Sequence, residues 1–163
     1  MDVSKCMKTR LLLATPDTDY KSLLCKMAEP VPRQIYVVEQ NYKLLGIISA
    51  FDLLKEILPS YMTSDLAKSI TDGTDFMQKQ VEKVTDKFAK DLMVTDFIYL
   101  HPHSQLLQAD ALIVEKGCNA LPVIDERGKL LGEITRFDIL ASFVTCYISS
   151  GDAETDLVDL SKV

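Results

Sequence analysis

A predicted β-strand runs directly into a predicted α-helix at Gly132-Glu133-Ile134-Thr135-Arg136-Phe137-Asp138. The same spacing of glycine, hydroxyl and aspartate occurs at Gly46-Ile47-Ile48-Ser49-Ala50-Phe51-Asp52, which lies 86 positions earlier. When residues 7–54 are set on residues 93–140 without a gap, 13 of the 48 positions are identical. Unrelated segments of this length would share about two or three, so the fold must contain a repeat of fixed period. The sequence therefore predicts a tandem duplication.

The composition is that of an ordinary globular protein, and the net charge restricts the classes of partner. The chain has 163 residues and a formal net charge of -6 at pH 7. A nucleic-acid partner is not expected, because phosphate binding needs a basic face and the Lys and Arg residues do not cluster. The apolar run from Leu11 to Ala14 is too short for a signal peptide or a membrane span. We therefore expect a cytoplasmic protein with no membrane segment.

The cysteines and histidines give little indication of a metal site or of catalysis. The four cysteines form no C-x-x-C pair and have no histidine at ligand spacing; they are Cys6, Cys25, Cys118 and Cys146. A free thiol in a helix-like segment usually behaves as a small hydrophobic side chain. His101 and His103 flank Pro102 in a predicted loop, with no nucleophile placed to form a catalytic pair. We expect no metal ligand set, and an enzyme is the function class with the least support.

Hydrophobic periodicity predicts the same order of elements in each copy: strand, helix, strand, strand, helix. In the first copy the predicted strands are residues 10–15, 34–39 and 44–49, and the second helix is residues 50–58. The first helix has one apolar face, formed by Tyr20, Leu23, Leu24 and Met27. Thr18 or Asp17 is expected to cap it. The runs 34–39 and 44–49 flank a polar segment and are predicted to form a hairpin.

The second copy shows the same pattern more clearly. Its predicted elements are the strand 97–100, the helix 104–116, the strands 120–125 and 130–135, and the closing helix 137–148. Gly117 is expected to end the first of these helices as a C-terminal cap. Gly128 can supply the left-handed residue that the tight hairpin turn requires.

The chain between and after the copies is not duplicated. We divide the chain into a first copy at 1–59, a helical insertion at 60–92, a second copy at 93–148 and an acidic, solvated tail at 149–163. Within the insertion, an apolar stripe recurs at helical spacing, formed by Met77, Val81, Val84 and Phe88. This stripe is expected to pack either on the domain or on a second subunit. It leads us to predict a homodimer.

Both copies carry the pattern Gly-x-x-(Ser/Thr)-x-x-Asp, and both have a proline after the first strand, at Pro16 and Pro102. With the run Leu121-Pro122-Val123-Ile124-Asp125, these features resemble a pair of CBS domains, also called a Bateman module. The resemblance implies an α/β (α+β) fold in which two β-α-β-β-α repeats pack about a pseudo-twofold axis. It also implies two clefts that often hold adenosine-containing ligands, and dimers of such modules. The first copy departs from the family pattern at Ile35-Tyr36 and at Asn41-Tyr42, where Leu-Pro and a turn glycine are usual.

The junction of strand and helix has groups that could bind a nucleotide. A strand that ends at Thr135 and enters a helix presents unpaired backbone N–H groups and the positive end of the helix dipole, which favour an anion. Thr135 can add a hydroxyl donor and Arg136 a positive charge, while Asp138 can accept from the hydroxyls of a ribose. Ser49 and Asp52 offer the same groups without the arginine. We therefore expect the cleft at Thr135 to bind adenine nucleotide more tightly than the cleft at Ser49.

An adenine ring would also need an apolar slot with backbone donors and acceptors, and the facing segments of the two copies could supply it. These segments contain Thr9, Arg10, Leu11, Arg33, Gln34, Thr95, Asp96, Phe97, Asn119, Ala120 and Pro122. The Ser-x-x-Asp and Thr-x-x-Asp patterns are also close to a helix capping box, which needs no ligand. Capping and binding are not exclusive, and both stay open at this point.

Two functions from different classes remain. The resemblance implies a regulatory module that senses AMP, ADP, ATP or a related adenosine ligand and signals to a separate partner protein. The alternative is a ligand-free module for dimerisation or protein interaction. No cofactor is required by either function.

Overall fold

The fold is a mixed α/β arrangement of two repeats, which confirms the predicted class. It is seen in a computed structural model that describes residues 1–30, 34–147 and 161. The strands are β1 (Leu12–Ala14), β2 (Gln34–Val38), β3 (Leu44–Ser49), β4 (Ala120–Ile124) and β5 (Leu130–Thr135). The helices are α1 (Tyr20–Met27), α2 (Ala50–Ile57), α3 (Ser64–Lys68), α4 (Gly73–Lys83), α5 (Ala89–Leu92), α6 (Leu106–Lys116) and α7 (Arg136–Tyr147). Apart from Ser161, the predicted tail at 149–163 lies outside the described residues.

The first repeat is a three-stranded sheet in the order β1-β2-β3. β1 runs parallel to β2, and β2 pairs antiparallel with β3, which confirms the predicted hairpin. One face of the sheet packs against α1 and α2 through a cluster that includes Ile35, Val37, Ile48, Tyr20, Leu23, Leu53 and Ile57. The buried hydroxyl of Tyr20 donates to the carbonyl oxygen of Leu53 at 2.6 Å, so it is satisfied within this core.

The second repeat has the two-stranded sheet β4-β5 instead of the predicted three strands. The prediction of a strand at 97–100 is wrong, because within this described segment only Leu100 pairs, in a parallel bridge with Val123. The backbone N–H of Leu100 donates to the carbonyl oxygen of Pro122 at 2.9 Å. Extending this parallel ladder would require an N–H from Pro122, and proline has none. The equivalent residue of the first repeat is Tyr36, and β1 pairs there over three residues.

Two helices begin later than the sequence predicts. Neither Thr18 nor Asp17 caps α1, because the Asp19 carboxylate accepts the backbone N–H of its first turn at 2.9 Å. The Thr18 hydroxyl instead accepts a backbone N–H of the preceding turn at 3.0 Å. α6 begins at Leu106 rather than Ser104, whose hydroxyl likewise accepts a turn N–H at 3.1 Å. Hydroxyl side chains used in turns in this way are not available as helix caps.

The insertion between the repeats contains α3, α4 and α5 and packs on the first repeat. Val81 and Val84, at the end of α4, lie against the core of that repeat. The predicted stripe does not continue through Phe88, because α4 ends at Lys83 and Phe88 precedes α5. Met77 and Phe88 remain 39% and 38% exposed. The stripe is therefore mainly an intramolecular contact, while the proposed division of the chain into four segments stays a prediction.

The two repeats meet through a layer of apolar side chains that we call the seam cluster. It consists of Tyr36, Val38, Leu44, Ile47, Ile124 and Leu130. The two hairpin turns lie side by side, because the backbone N–H of Leu44 donates to the carbonyl oxygen of Gly128 at 3.0 Å. Two further bridges, Ile47 with Val94 and Lys8 with Glu133, are related by the offset of 86 residues. The repeats are therefore arranged about a pseudo-twofold axis.

In the described part of the chain, no helix combines the length and apolar character that crossing a bilayer requires.

Both hairpin turns use left-handed residues, but of different kinds. Gly128 has a φ of 80°, as predicted, whereas Asn41 and Tyr42 have φ values of 66° and 60°. Tyr42 lies 86 positions before Gly128 and occupies the equivalent place. A left-handed conformation costs a residue with a side chain about 1–2 kcal/mol, and asparagine tolerates it better than tyrosine. The Tyr42 ring is 56% exposed, so burial does little to offset this strain.

Replacing Tyr42 by glycine is expected to stabilise the fold by about 1 kcal/mol, because relief of the left-handed strain exceeds the added entropy of the unfolded chain. Gly128→Ala should destabilise the fold by about 1 kcal/mol for the opposite reason. Chemical denaturation measures both changes. Gly73→Ala is the control for the entropy of the unfolded chain: Gly73 is not left-handed and a β-carbon there meets no atom within 4 Å, so this variant should be more stable by about 0.4–1 kcal/mol. A Tyr42→Gly variant that is less stable than the wild type would show that the tyrosine makes a contact worth more than its strain.

Candidate functional site

A cavity of about 250 Å³ opens between the two repeats, at the point where β3 enters α2. The first repeat lines it with Gln34, Ile47, Ser49 and Asp52. The second repeat lines it with Val94, Asp96, Phe97, Ile98, Lys116, Cys118, Ala120, Leu121 and Pro122. Seven of these were predicted as nucleotide-binding residues: Gln34, Ser49, Asp52, Asp96, Phe97, Ala120 and Pro122. We call this cavity the first cleft.

Backbone pairing brings the two walls of the first cleft together. The N–H of Ile47 donates to the carbonyl oxygen of Val94 at 3.0 Å, and the N–H of Val94 donates to that of Ile47 at 2.9 Å. This bridge lays the start of the second repeat along β3. A β-carbon at Gly46 would lie 2.8 Å from the side chain of Met93. The glycine of the repeated motif therefore permits the close approach of the two segments.

Ser49 and Asp52 form a reciprocal cap at the start of α2. The backbone N–H and the hydroxyl of Ser49 each donate to Asp52 Oδ2 at 2.8 Å, and the N–H of Asp52 donates to Ser49 Oγ at 3.2 Å. The other carboxylate oxygen, Asp52 Oδ1, pairs with Lys55 Nζ at 3.3 Å. The Lys55 side chain is 52% exposed. The capping arrangement expected as an alternative is thus present. Within the part of the chain that the structure describes, it leaves Oδ1 held only by an exposed side chain that a ligand could replace.

The same cap occurs at the start of α7. The N–H and the hydroxyl of Thr135 donate to Asp138 Oδ2 at 2.8 Å and 2.6 Å, and the N–H of Asp138 donates to Thr135 Oγ1 at 3.2 Å. Asp138 Oδ1 pairs with Lys8 Nζ at 3.2 Å. Lys8 comes from a distant segment that is bridged to Glu133 by backbone hydrogen bonds of 2.8 Å and 2.9 Å. We call the region formed by Thr135, Asp138, Lys8 and Glu133 the second cleft.

Arg136 is hydrogen-bonded to the end of α6, and its predicted contact with a phosphate stays a prediction. Its Nε donates to the carbonyl oxygen of Cys118 at 2.7 Å, and its Nη2 donates to that of Gly117 at 2.9 Å. Gly117, with a φ of 64°, ends α6 as predicted. A positive charge is favourable at this end of a helix, because it interacts with the terminal carbonyl groups. The guanidinium expected at a phosphate is thus engaged at the end of α6, and its position gives no support to tighter binding at the second cleft.

The two clefts differ in their floors, although their junctions are equivalent. Ile47, Val94 and Pro122 of the first cleft correspond to Glu133, Lys8 and Tyr36 of the second. Glu133 is only 1% exposed, and its Oε2 accepts the hydroxyl of Tyr36 at 2.6 Å. Burial raises the pKa of Glu133 above its ordinary value, while the Tyr36 hydrogen bond and the Lys8 charge oppose this shift. Burial and the neighbouring Glu133 raise the pKa of Tyr36 well above its ordinary value, so the tyrosine keeps its proton and donates it.

The remaining predicted site residues do not line the first cleft; they are Thr9, Arg10, Leu11, Thr95, Asn119 and Arg33. Thr9 and Arg10 are exposed beside Lys8, and Leu11 packs against the seam cluster. Thr95 and Asn119 are sequence neighbours of lining residues. Arg33 lies outside the described residues. Nucleotide contacts of these residues stay predictions.

Sequence reasoning missed several lining residues: Ile47, Val94, Ile98, Lys116, Cys118 and Leu121. Strand periodicity could have found Ile47, because it lies two positions before Ser49 and therefore shares its face of β3. Lys116 and Cys118 come from the end of α6, and no local pattern connects them with the motif of the first repeat.

Burial raises the pKa of Cys118, so its thiol stays neutral. Among the described residues, no three His, Cys, Asp or Glu side chains are grouped as metal ligands would be.

A second cavity, of about 690 Å³, lies between the two hairpin turns. Its lining residues are Glu39, Gln40, Asn41, Tyr42, Lys43, Asp125, Arg127 and Lys129. All of them except Tyr42 have polar or charged side chains, and most are exposed. Pockets for ring-containing ligands are lined mainly by apolar side chains. The smaller first cleft, with its apolar floor, is therefore the better candidate for a nucleoside.

Comparisons with known proteins point to one family. The CBS domain family model matches residues 2–59 and 89–145. The CBS domain-containing protein CBSX1, chloroplastic, of Arabidopsis thaliana is 29% identical over 139 residues. That alignment covers 82% of this chain but 59% of the relative, so the chain spans less than two thirds of the relative's length.

Solved structures show the same likeness. The crystal structure of CBSX2 in complex with AMP is 26% identical, has a TM-score of 0.69, and covers 88% of this chain and 96% of that one. The crystal structure of the CBS-pair protein CBSX2 from Arabidopsis thaliana has a TM-score of 0.74 at 24% identity, and covers 91% of this chain and 98% of that one. At that identity the second likeness shows the fold alone, and it confirms an arrangement of paired repeats.

Proposed function

This chain belongs to the CBS domain family, and we propose that it is a regulatory module that binds an adenine nucleotide in the first cleft and signals to a separate protein. The observation that carries the proposal is the first cleft itself. It is a cavity of about 250 Å³ between the repeats, with an apolar floor and a carboxylate at its edge. The complex of CBSX2 with AMP supports adenine nucleotides as the class of ligand.

The floor of the first cleft suits an adenine ring. Ile47, Val94 and Pro122 present apolar surface, and Ala120 at the start of β4 offers backbone groups beside it. A flat ring can be buried against such a floor, while a few polar groups fix its orientation. The two walls belong to different repeats, so a bound ring would contact both.

The edge of the first cleft suits a ribose and a single phosphate. Asp52 Oδ1 can accept from a ribose hydroxyl once the exposed Lys55 releases it, without breaking the cap that Asp52 Oδ2 makes with Ser49. Lys55 would then be free to approach the phosphate. The start of α2 adds the positive end of a helix dipole. Capping and binding can therefore coexist at this junction.

The charges of the first cleft favour ligands with few phosphates. Among its lining residues in the described ranges, Asp52 and Asp96 are acidic, and Lys116 is the only basic residue. A triphosphate would bring several negative charges to a wall that already carries two carboxylates. We therefore expect adenosine and AMP to bind more tightly than ATP.

Three parts of this proposal rest on the family rather than on the geometry of the cleft. They are the regulatory role, the separate regulated protein and the absence of catalytic activity. The cytoplasmic location stays a prediction, and the relative CBSX1 is described as chloroplastic.

A second candidate function, dimerisation, is favoured by an exposed apolar face on α2 and by its equivalent on α7. Phe51 and Leu54 of α2, with Leu58 after it, are 71%, 57% and 44% exposed. Their equivalents at the offset of 86, Phe137, Leu140 and Val144, are 77%, 58% and 49% exposed. Contiguous exposed apolar surface usually marks an interaction site. We propose that a second copy of the chain covers this face, since a face repeated about a pseudo-twofold axis can be self-complementary.

Thermal melts with adenosine, AMP and ATP test the proposed ligand class. AMP at about 100 times its dissociation constant should add about 2.7 kcal/mol to the free energy of unfolding, and therefore raise the Tm. At equal concentration ATP should raise the Tm less, because of the two carboxylates in the cleft.

In the same assay, Asp52→Asn should abolish the increase in Tm that AMP causes. Asp65→Asn is the matched control, because Asp65 is an exposed carboxylate in the first turn of α3 and should leave the effect unchanged. A Tm that no adenosine ligand changes would favour the ligand-free module.

Light scattering on the double variant Phe51→Glu/Phe137→Glu tests the proposed dimer. The wild type should have twice the chain mass of 18.3 kDa, and the variant should have the monomer mass, because charges on the apolar face oppose its burial. Tyr42→Glu is the control, since Tyr42 is 56% exposed but lies in the hairpin turn, at the end of β3 opposite to α2. A monomeric wild type, or a dimer in the double variant, would exclude this interface.

A further inference from the structure

We propose that each chain binds one adenine nucleotide rather than two, because the hydrogen-bonded pair Tyr36–Glu133 and the ion pair Lys8–Asp138 occupy the second cleft. This inference rests on the proposed function, since it concerns the number and position of nucleotides rather than their existence. The observation behind it is that the pseudo-twofold axis relates two junctions with the same cap but two floors with different chemistry.

The floor of the second cleft has lost the apolar surface that an adenine ring needs. Where the first cleft has Ile47, the second has Glu133, which is 1% exposed. Where the first cleft has Pro122, the second has Tyr36, which is fully buried. The tyrosine hydroxyl donates to Glu133 Oε2 at 2.6 Å across the two repeats. A ring inserted here would separate these groups and leave a buried carboxyl and a buried hydroxyl without partners.

The ribose position of the second cleft is also occupied. Asp138 Oδ1, the equivalent of the oxygen proposed to accept a ribose in the first cleft, pairs with Lys8 Nζ at 3.2 Å. Lys8 stands where the first cleft has Val94, and its backbone is fixed to Glu133 by two hydrogen bonds of 2.8 Å and 2.9 Å. Lys55, which pairs with Asp52, is instead a neighbour on the same helix; its side chain is 52% exposed, against 43% for Lys8. The exposed fractions are similar, so the difference is that the Lys8–Asp138 pair joins two distant segments and the Lys55–Asp52 pair does not. We therefore expect a ligand to release Asp52 more easily than Asp138.

Titration calorimetry of the full chain with AMP tests the inference. We expect one AMP per chain. Asp52→Asn should remove the binding heat, and Asp138→Asn should leave one site of unchanged affinity; circular dichroism checks that both variants fold. Two AMP per chain, or loss of binding in Asp138→Asn with retention in Asp52→Asn, would overturn the inference. A different result would overturn the proposed function on which the inference rests. In that case the wild type would give no binding heat with AMP, and AMP would also leave its Tm unchanged.

Exchanging the floor residues tests the cause. Ile47→Glu gives the first cleft a carboxyl like that of Glu133 in the second cleft, and should lower the affinity for AMP at least tenfold. Glu133→Gln keeps the shape and an acceptor for the Tyr36 hydroxyl, and should retain one site with wild-type affinity. If Ile47→Glu folds and binds AMP as the wild type does, the floor does not decide which cleft is used. A tenfold loss of affinity in Glu133→Gln would place the bound AMP in the second cleft and contradict the inference.

Discussion

The packing of the two repeats against each other through the seam cluster is the contact on which the rest of the structure depends. Tyr36, Ile47 and Leu44 from the first repeat meet Ile124 and Leu130 from the second. Neither hairpin could bury this face alone, because each repeat has only one further layer of helices. The hydrogen bond from Tyr36 to Glu133 lies within this contact and gives the buried carboxyl of Glu133 a donor. Both clefts exist because the repeats are held together here.

Duplication followed by substitution explains why the two clefts look alike in sequence and differ in chemistry. The Gly-x-x-(Ser/Thr)-x-x-Asp motif forms the same cap at both junctions, so its presence alone does not distinguish the two clefts. The proposed difference in nucleotide binding therefore depends on residues outside the motif, at the floor of each cleft. Replacing one apolar floor residue by a buried carboxyl requires a donor from the opposite repeat, and Tyr36 provides it. A change in one repeat is thus linked to a change in the other.

The repeat, the hairpins and the helices could be predicted because their patterns are local and occur twice. The missing strand at 97–100 followed from the lack of an N–H at Pro122, which becomes visible only when the partner strand is known. Residue type alone could not show whether Asp19 or Thr18 caps α1, since both side chains can accept a backbone N–H. The position of Arg136 depended on where α6 ends in space, and Lys116 and Cys118 reached the first cleft for the same reason. Tertiary placement of this kind leaves no local signal.

The proposal of an inter-repeat nucleotide site is tested most directly by following backbone amide resonances of the isotope-labelled chain during titration with AMP. Amides from both walls of the first cleft, at Ser49, Val94 and Ala120, should shift together and saturate at one common AMP concentration, because one ligand contacts both repeats. The amides of Lys43 and Lys129, which line the cavity between the hairpin turns, should shift little. Shifts confined to one repeat, or larger shifts at Lys43 and Lys129 than at Ser49, would contradict a nucleotide site between the repeats.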